Sequence, residues 1–283
     1  LVVLVSCMFA PREYEIPTPS VAEAGATRTM TWNLRYAESD MQGFYGRRGD
    51  MVQLIKDYAP AVLGIQEGDE PWMRYLPPAL AANYTFVGVG RDDGRTRGEY
   101  SAIFYNHHRF TALENGTFWL SETPHEPSYG WDAATRRVCT YAVLQDKSTG
   151  DKLAFFNTHL DHVGSEARKN GAALILSRMA DVPYPSVLMG DMNTPQGWGI
   201  YQDLAATLSD SKYLATDSMF WGTMNWFSTM HYQFILPIDF IFVDSEGFSA
   251  QRYEVLYQHR YDGKPLSDHY PVFADVVLDA TID

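Results

Sequence analysis

The chain has 283 residues, 46% of them hydrophobic and 20% charged, with 18 Tyr, 15 Phe and 7 Trp, enough apolar material for a sizeable core in one large domain or two small ones. Its formal charge of -13 argues against tight, sequence-blind binding to a nucleic-acid backbone, which needs Lys and Arg to replace condensed counterions. Cys7 and Cys139 are the only cysteines, which excludes a disulfide framework.

In chain order, Leu1 to Cys7 is an apolar run too short to span a bilayer, and it reads as the end of a secretory hydrophobic region. Leu4-Val5-Ser6-Cys7 also resembles a bacterial lipobox, whose cysteine is lipidated; a plain signal peptide cut near Ala10 and an apolar strand are the other readings. Residues 1–10 are therefore expected to be a signal or lipobox remnant. Residues 11–26, with Pro11, Pro17 and Pro19, read as a tether, and residues 27–283 as one domain. This predicts export to the periplasm or outer surface of a bacterium, with membrane contact only through a lipid on Cys7. The domain is expected to be a monomer.

A strand at Thr29–Trp32 runs into Asn33, and Met51, Leu54, Ile55 and Tyr58 stand at helical spacing in a helix from Arg47 to Tyr58 that Pro60 ends. Ala61 to Gln66 reads as a strand presenting Glu67. Pro71, Trp72, Tyr75 and Leu76 predict a short helix stopped by Pro77-Pro78. A Gly- and Arg-rich loop, Arg91 to Gly98, leads into a strand from Glu99 to Tyr105, and Asn115 to Arg137, with Trp119 and Trp131, reads as an irregular surface excursion. Val138–Leu144 and Leu153–Phe156 are strand-like, the second running into Asn157-Thr158-His159. Ser165 can cap a helix whose buried stripe is Ala172, Ile175, Leu176 and Met179, and Ile200, Leu204 and Leu208 suggest another. Strands interleaved with helices and hairpin-like stretches imply a mixed α/β sandwich.

Val187 to Met189 is a short buried strand between Pro185 and Gly190 that delivers Asp191 and Asn193 to its carboxyl end. On an extended backbone alternate residues point the same way, so the two could face one polar target. Gly-Asp-Met-Asn-Thr-Pro is also a turn-forming string. However, an apolar strand followed by polar residues recurs at Asn33, at Gln66-Glu67 and at Asn157-Thr158-His159, and Ser267-Asp268-His269 precedes a last strand; separate turns would not need this chemistry. Asp239, inside Ile238-Asp239-Phe240-Ile241-Phe242-Val243, needs a partner, because an unpaired buried carboxylate is costly. Glu67, with Asn33 and Asp268, would offer hard oxygen ligands to Mg²⁺ or Mn²⁺.

Thr31-Trp32-Asn33-Leu34, Gln66-Glu67, Asn157-Thr158-His159-Leu160, Gly190-Asp191-Met192-Asn193, Ile238-Asp239-Phe240 and Ser267-Asp268-His269, in that order, resemble the endonuclease/exonuclease/phosphatase superfamily. The resemblance implies a four-layer α/β sandwich, two mixed β-sheets packed face to face with helices outside. It implies a divalent-metal phosphohydrolase in which Glu67 is the principal metal ligand, Asp191 and Asn193 orient the nucleophile, and Asp239 orients His269 as the base, with Asp191 open in that role. His159 becomes the acid or transition-state donor, steadied by Glu99 as in deoxyribonuclease-type members. Arg137, more than Arg136, resembles the family's phosphate-contacting arginine. Aromatics between Met219 and Tyr232, Trp226 above all, are expected to rim the site, with Trp221, Phe227 and Tyr232, and to hold a small organic group beside the phosphate. The expected substrate is a small phosphoester, mono- or diester. An RNA or DNA nuclease is the alternative, and a non-enzymatic binding module is disfavoured because no motif residue is missing.

Overall fold

A computed structural model of the chain describes residues 18–228, 237–257, 260–261 and 263–279. The signal or lipobox segment with Cys7, the first part of the tether, His231, Tyr232 and His259 lie outside the described residues. The elements are β1 (Thr27–Asn33), a 3-10 turn (Ala37–Ser39), α1 (Met41–Tyr58), β2 (Val62–Gln66), α2 (Glu70–Leu80), β3 (Tyr84–Val87), β4 (Ile103–Asn106), β5 (Phe110–Trp119), β6 (Val138–Asp146) and β7 (Lys152–His159). Then come α3 (Ser165–Ala180), β8 (Ser186–Asp191), α4 (Gly199–Ala205), β9 (Leu208–Asp210), α5 (Ser211–Leu214), β10 (Ala215–Ser218), β11 (Asp239–Asp244), β12 (Phe248–Val255), β13 (Arg260–Tyr261), β14 (Lys264–Pro265) and β15 (Val272–Leu278). No helix among the described residues is long and apolar enough to cross a membrane.

The central strands are apolar on both faces, and this dictates the layering. In β8, Val187 and Met189 turn into one apolar cluster while Leu188 turns into another; in β7, Phe155 and Phe156 divide in the same way. A strand buried on both faces must lie between two layers. A seven-stranded sheet, ordered β10-β12-β15-β1-β2-β4-β3, and a six-stranded sheet, ordered β5-β6-β7-β8-β11-β9, pack face to face over the first cluster, which also takes Val62, Ile103, Ile241 and Val272. Trp32, Met51, Ile55, Trp72 and Phe273 fill the space between α1, α2 and the outer face of the first sheet. Phe156, Ala172, Ile175, Leu188 and Phe240 do the same beneath α3 on the second. The four-layer sandwich is thus present.

At the heart of each sheet two strands run parallel, β1 with β2 and β7 with β8, flanked by antiparallel partners. The carboxyl ends of β1, β2, β7 and β8 therefore come to the edges where β11 and β15 begin.

Several boundaries differ from those predicted. Helix α1 begins six residues earlier than Arg47, at Met41, because the Asp40 carboxylate accepts from Gly43 N at 2.9 Å and caps it. Helix α2 runs through Pro77-Pro78 to Leu80: the prolines forfeit two late helical hydrogen bonds, and burial of Trp72, Leu76 and Leu80 on one face carries the helix past them. The strand expected from Glu99 is β4 only from Ile103; Tyr100 makes one isolated bridge to Gly68. Asn115–Trp119 belongs to β5, with Trp119 buried, so the irregular excursion is confined to Leu120–Arg137. Ser165 is the first residue of α3 rather than its cap; the Asp132 carboxylate accepts from Glu166 N and Ala167 N instead. Leu208 lies in β9, beyond α4.

Candidate active site

Register brings the polar strand ends together. Asn33 pairs with Gln66 across β1 and β2, His159 with Asp191 across β7 and β8, and Asp239 with Asp191 across β11 and β8. The two sheets meet through side chains: Asn33 Nδ2 donates to Glu67 Oε1 at 2.9 Å and to Asp191 Oδ2 at 3.0 Å. Beneath this, Gln66 Nε2 donates to Asn157 Oδ1, and Asn157 Nδ2 donates to the carbonyls of Ile65 and Ala102. Asn157 and Gln66 thus link the two sheets under the site.

Glu67 sits just past β2 with φ +56°, a left-handed conformation that costs a side-chain-bearing residue free energy and recurs at functional positions. Its second oxygen accepts from Tyr36 N at 2.9 Å. Asp268 lies opposite Arg35, 3.5 Å away, and burial, with the Glu67 charge adding to it, pushes its carboxyl up from the ordinary range.

His269 Nδ1 is 2.9 Å from Asp239 Oδ2, and its Nε2 is 3.8 Å from Asp191 Oδ2. Burial disfavours a charged ring, but Asp239 and then Asp191 outweigh it and hold the His269 pKa well above the usual histidine range. Asp191 is buried and its carboxyl is pushed up to about 7, by burial first and by the Asp239 charge second. The His269 ring is thus held toward its charged form, while the Asp191 carboxyl is held toward its neutral form, and both flank the same point.

His159 is buried, with Nε2 3.4 Å from Asp191 Oδ2 and Nδ1 without a partner. Burial, followed by Arg137 and Arg91, drives its pKa well below the usual value and keeps the ring neutral. Glu99 does not hold it: both Glu99 oxygens accept from Arg91, at 2.9 Å each, since a bidentate guanidinium outcompetes a neutral ring for a carboxylate. Arg137 is buried against Asp161 and His162, with Nη1 unpartnered, on the same small cavity as Glu67, Glu99 and His159.

Asn193 departs from the expected extension. The strand ends at Asp191, and Asn193 adopts φ +45°, donating its backbone N–H to Asp191 Oδ1 and its amide to Leu160 O. It braces Asp191 rather than sharing its face. In the aromatic segment Trp221 stacks on Tyr257 with centroids 4.0 Å apart and packs against the core, whereas Trp226, 54% exposed, donates its backbone N–H to Asp268 O and so stands at the rim.

The donor set suits a hard divalent cation. Glu67, Asp191 and Asp268 bring carboxylates to one place, and Asp191, Asp239 and His269 offer ligand atoms within 4.8 Å of one another. Asp239 and His269 already engage each other, leaving the carboxylates to the metal. Asn33 turns its NH₂ inward while its oxygen accepts from Arg35 N, so here it bridges Glu67 and Asp191 instead of offering a ligand oxygen.

Sequence reasoning passed over Arg35, Arg47, Arg91 and Asp161. Arg47 is buried and donates to the carbonyls of Leu34, Arg35 and Leu266, fixing the loop after β1. Its signal was present: Arg47 is in phase with the buried face of Phe44, Met51 and Ile55.

The model of the Endonuclease/Exonuclease/phosphatase family matches residues 30–269. A protein of that family from Bacteroides thetaiotaomicron is 34% identical and superposes with a TM-score of 0.83 over 90% of this chain and 98% of its own. A mannosyl-6-phosphatase from the same organism is likewise 34% identical, with a TM-score of 0.80 over 89% of this chain and 99% of that one. The human nocturnin catalytic domain, 18% identical with a TM-score of 0.71 over 92% of this chain and 96% of its own, shares the fold. An uncharacterised protein of Acanthamoeba polyphaga mimivirus is 28% identical over 52% of this chain, and the match spans 58% of that protein's length.

Proposed function

The chain belongs to the endonuclease/exonuclease/phosphatase family, hydrolases of phosphoester bonds, and on that premise we propose that it is a divalent-metal phosphohydrolase of small organic phosphoesters, with sugar phosphates as the favoured class. The observation that carries this reading is the Asn33 bridge between Glu67 and Asp191, which brings a carboxylate of each sheet to a single point. A relative 34% identical that is described as a mannosyl-6-phosphatase supports the sugar class, and so does Trp226, an exposed aromatic face of the kind that stacks on a sugar ring.

When bound, Mg²⁺ or Mn²⁺ would be held by Glu67, with Asp268 and Asp191 beside it, and would offset charge developing on the phosphoryl oxygens. Asp191 takes a proton from the attacking water. His269, kept charged by Asp239, donates toward the phosphoryl group, and neutral His159 donates to a phosphoryl or leaving oxygen. Asn33 and Asn193 hold the Asp191 carboxylate in register throughout.

The decisive assay incubates purified protein and Mg²⁺ with hexose phosphates, nucleotides, sphingomyelin, oligonucleotides and duplex DNA. A hexose phosphate should give the highest kcat/KM. If duplex DNA or long RNA exceeds every small phosphoester at physiological salt, the nuclease alternative replaces this reading.

A further inference from the structure

Two further aromatic rings face solvent at the catalytic end of the sandwich. Tyr213 is 58% exposed and Phe220 63%, and their ring centroids lie 5.8 Å apart. Topology puts them there. Strand β9 runs antiparallel to β11 and so ends toward Asp239, where α5 carries Tyr213. Strand β10 runs parallel to β12, which is antiparallel to β15, so β10 ends toward His269 and leads into Phe220. Three residues further on, Thr223 Oγ1 accepts from Ile238 N and Asp239 N, and Met224 bridges His269. One short segment thus passes the His269–Asp239 pair with Phe220 at one end and Trp226 at the other.

The two rings are set from the buried side. The Lys212 ammonium is buried against both, 5.1 Å from the Tyr213 centroid and 5.5 Å from that of Phe220. It donates to Gln196 Oε1 and lies 3.6 Å from Asp210 Oδ2, and Gln196 Nε2 donates to Tyr213 Oη. Gln196 N in turn donates to Pro237 O, two residues before Asp239. A cation attracted to both rings holds them in place and leaves their outer faces to solvent. Rings ordered in advance lose little freedom when a ligand stacks on them.

Size and charge decide what such a platform takes. Two rings fall far short of the roughly 800 Å² per partner that a stable protein interface needs. Lys212 is buried and paired, so it lends no charge to a phosphate backbone or an anionic bilayer, and the net charge of -13 disfavours both. A neutral sugar fits: it lays an apolar C–H face on an aromatic ring while its hydroxyls meet the Tyr213 hydroxyl. We propose that Tyr213 and Phe220 form a subsite for a further sugar joined to the phosphorylated one, so that the substrate is a phosphorylated oligosaccharide rather than a free hexose phosphate. The inference rests on the sugar-phosphate reading and deepens it: Trp226 faces the phosphorylated ring, and the sugar chain follows residues 220–226 to the second platform.

The test compares kcat/KM for mannose 6-phosphate and glucose 6-phosphate with that for mannotriose and maltotriose carrying the same phosphate on the non-reducing sugar. At least one trisaccharide should exceed its hexose about ten-fold, through KM. Phe220→Leu and Tyr213→Leu keep apolar bulk but lose the stacking face, and together they should bring that ratio close to one, whereas Phe220→Tyr preserves it. Trisaccharides no better than their hexoses, or an advantage that survives the double leucine variant, overturns the proposal. Calorimetric titration with the phosphate-free trisaccharides reads the subsite without turnover. Wild type should bind one of them about ten-fold more tightly than the double leucine variant does. Equal binding by the two proteins, or none by wild type, overturns the proposal as well. A wild-type protein that cleaves no sugar phosphate would count against the phosphohydrolase reading, while this titration would still decide the subsite.

Discussion

Asp239 opens β11 and His269 stands three residues before β15 in the other sheet, yet Asp239 Oδ2 and His269 Nδ1 lie 2.9 Å apart with both side chains buried. A carboxylate at that distance fixes which ring nitrogen carries its proton inward and supports the ring's charge. The pair should therefore act as one unit. Asp239→Asn is expected to lower kcat nearly as much as His269→Ala, by about a hundred-fold or more, and the double variant little further. Additive losses in that double-mutant cycle would separate the two residues.

Glu67→Gln keeps the shape of the side chain and removes the charge nearest the proposed cation. Mg²⁺ affinity should fall about ten-fold or more, and activity with it, while thermal stability without metal falls only modestly, by about 1 kcal/mol, because one of the two N–H donors to Glu67, from Asn33 and Tyr36, would then face an amide NH₂. Metal titration and a melting curve on the same sample check both halves. Unchanged metal affinity, or full turnover in excess chelator, would remove Glu67 from the metal's surroundings.

Asp161 predicts an acid limb. Burial opposes its charge, but the N–H groups of Gly164, Val163 and Ala134, and then Arg137, hold its carboxyl far below the ordinary carboxylate range. A depressed carboxyl contributes stability that is complete above its unfolded value near 4 and is lost as pH falls toward its folded value. Asp161→Asn should cost about 3 kcal/mol at pH 7 and flatten the dependence of stability on pH below about 4. Denaturant melts of both proteins across that range would show it; parallel curves would contradict it.

Gly190 has φ +146°, and a Cβ there would sit 2.1 Å from Thr158 O on the neighbouring strand. Gly190→Ala should therefore destabilise by more than about 3 kcal/mol or abolish folding, whereas the exposed Gly150, whose added Cβ would meet nothing within 4 Å, should tolerate alanine better despite φ +83°. Comparable melting temperatures for the two variants would contradict this.

The strand ends were legible in the sequence because each pairs a run that must be buried with polar groups that must not be. Asn33, Glu67, His159, Asp191, Asp239, Asp268 and His269 all stand at such junctions, and the structure gathers them. What stayed hidden was competition among partners. Glu99 reads in the sequence as the partner of His159, but its capture by Arg91 depends on a hairpin whose closure no periodicity encodes. Asn193 was placed by alternation, which fails where the backbone turns left-handed. Arg47 and Asp161 satisfy backbone groups, and such residues look like ordinary surface charges until the loops around them are folded.

The hydrogen bond from Asn33 to Asp191 joins one sheet to the other at the point where chemistry is proposed, so neither half of the sandwich holds a working fragment of the site. Catalysis should then be all-or-none with the docking of the two sheets: on heating, loss of activity and loss of global structure would coincide in a single cooperative transition, and the enzyme would have no partially folded, partially active intermediate from which to be rescued.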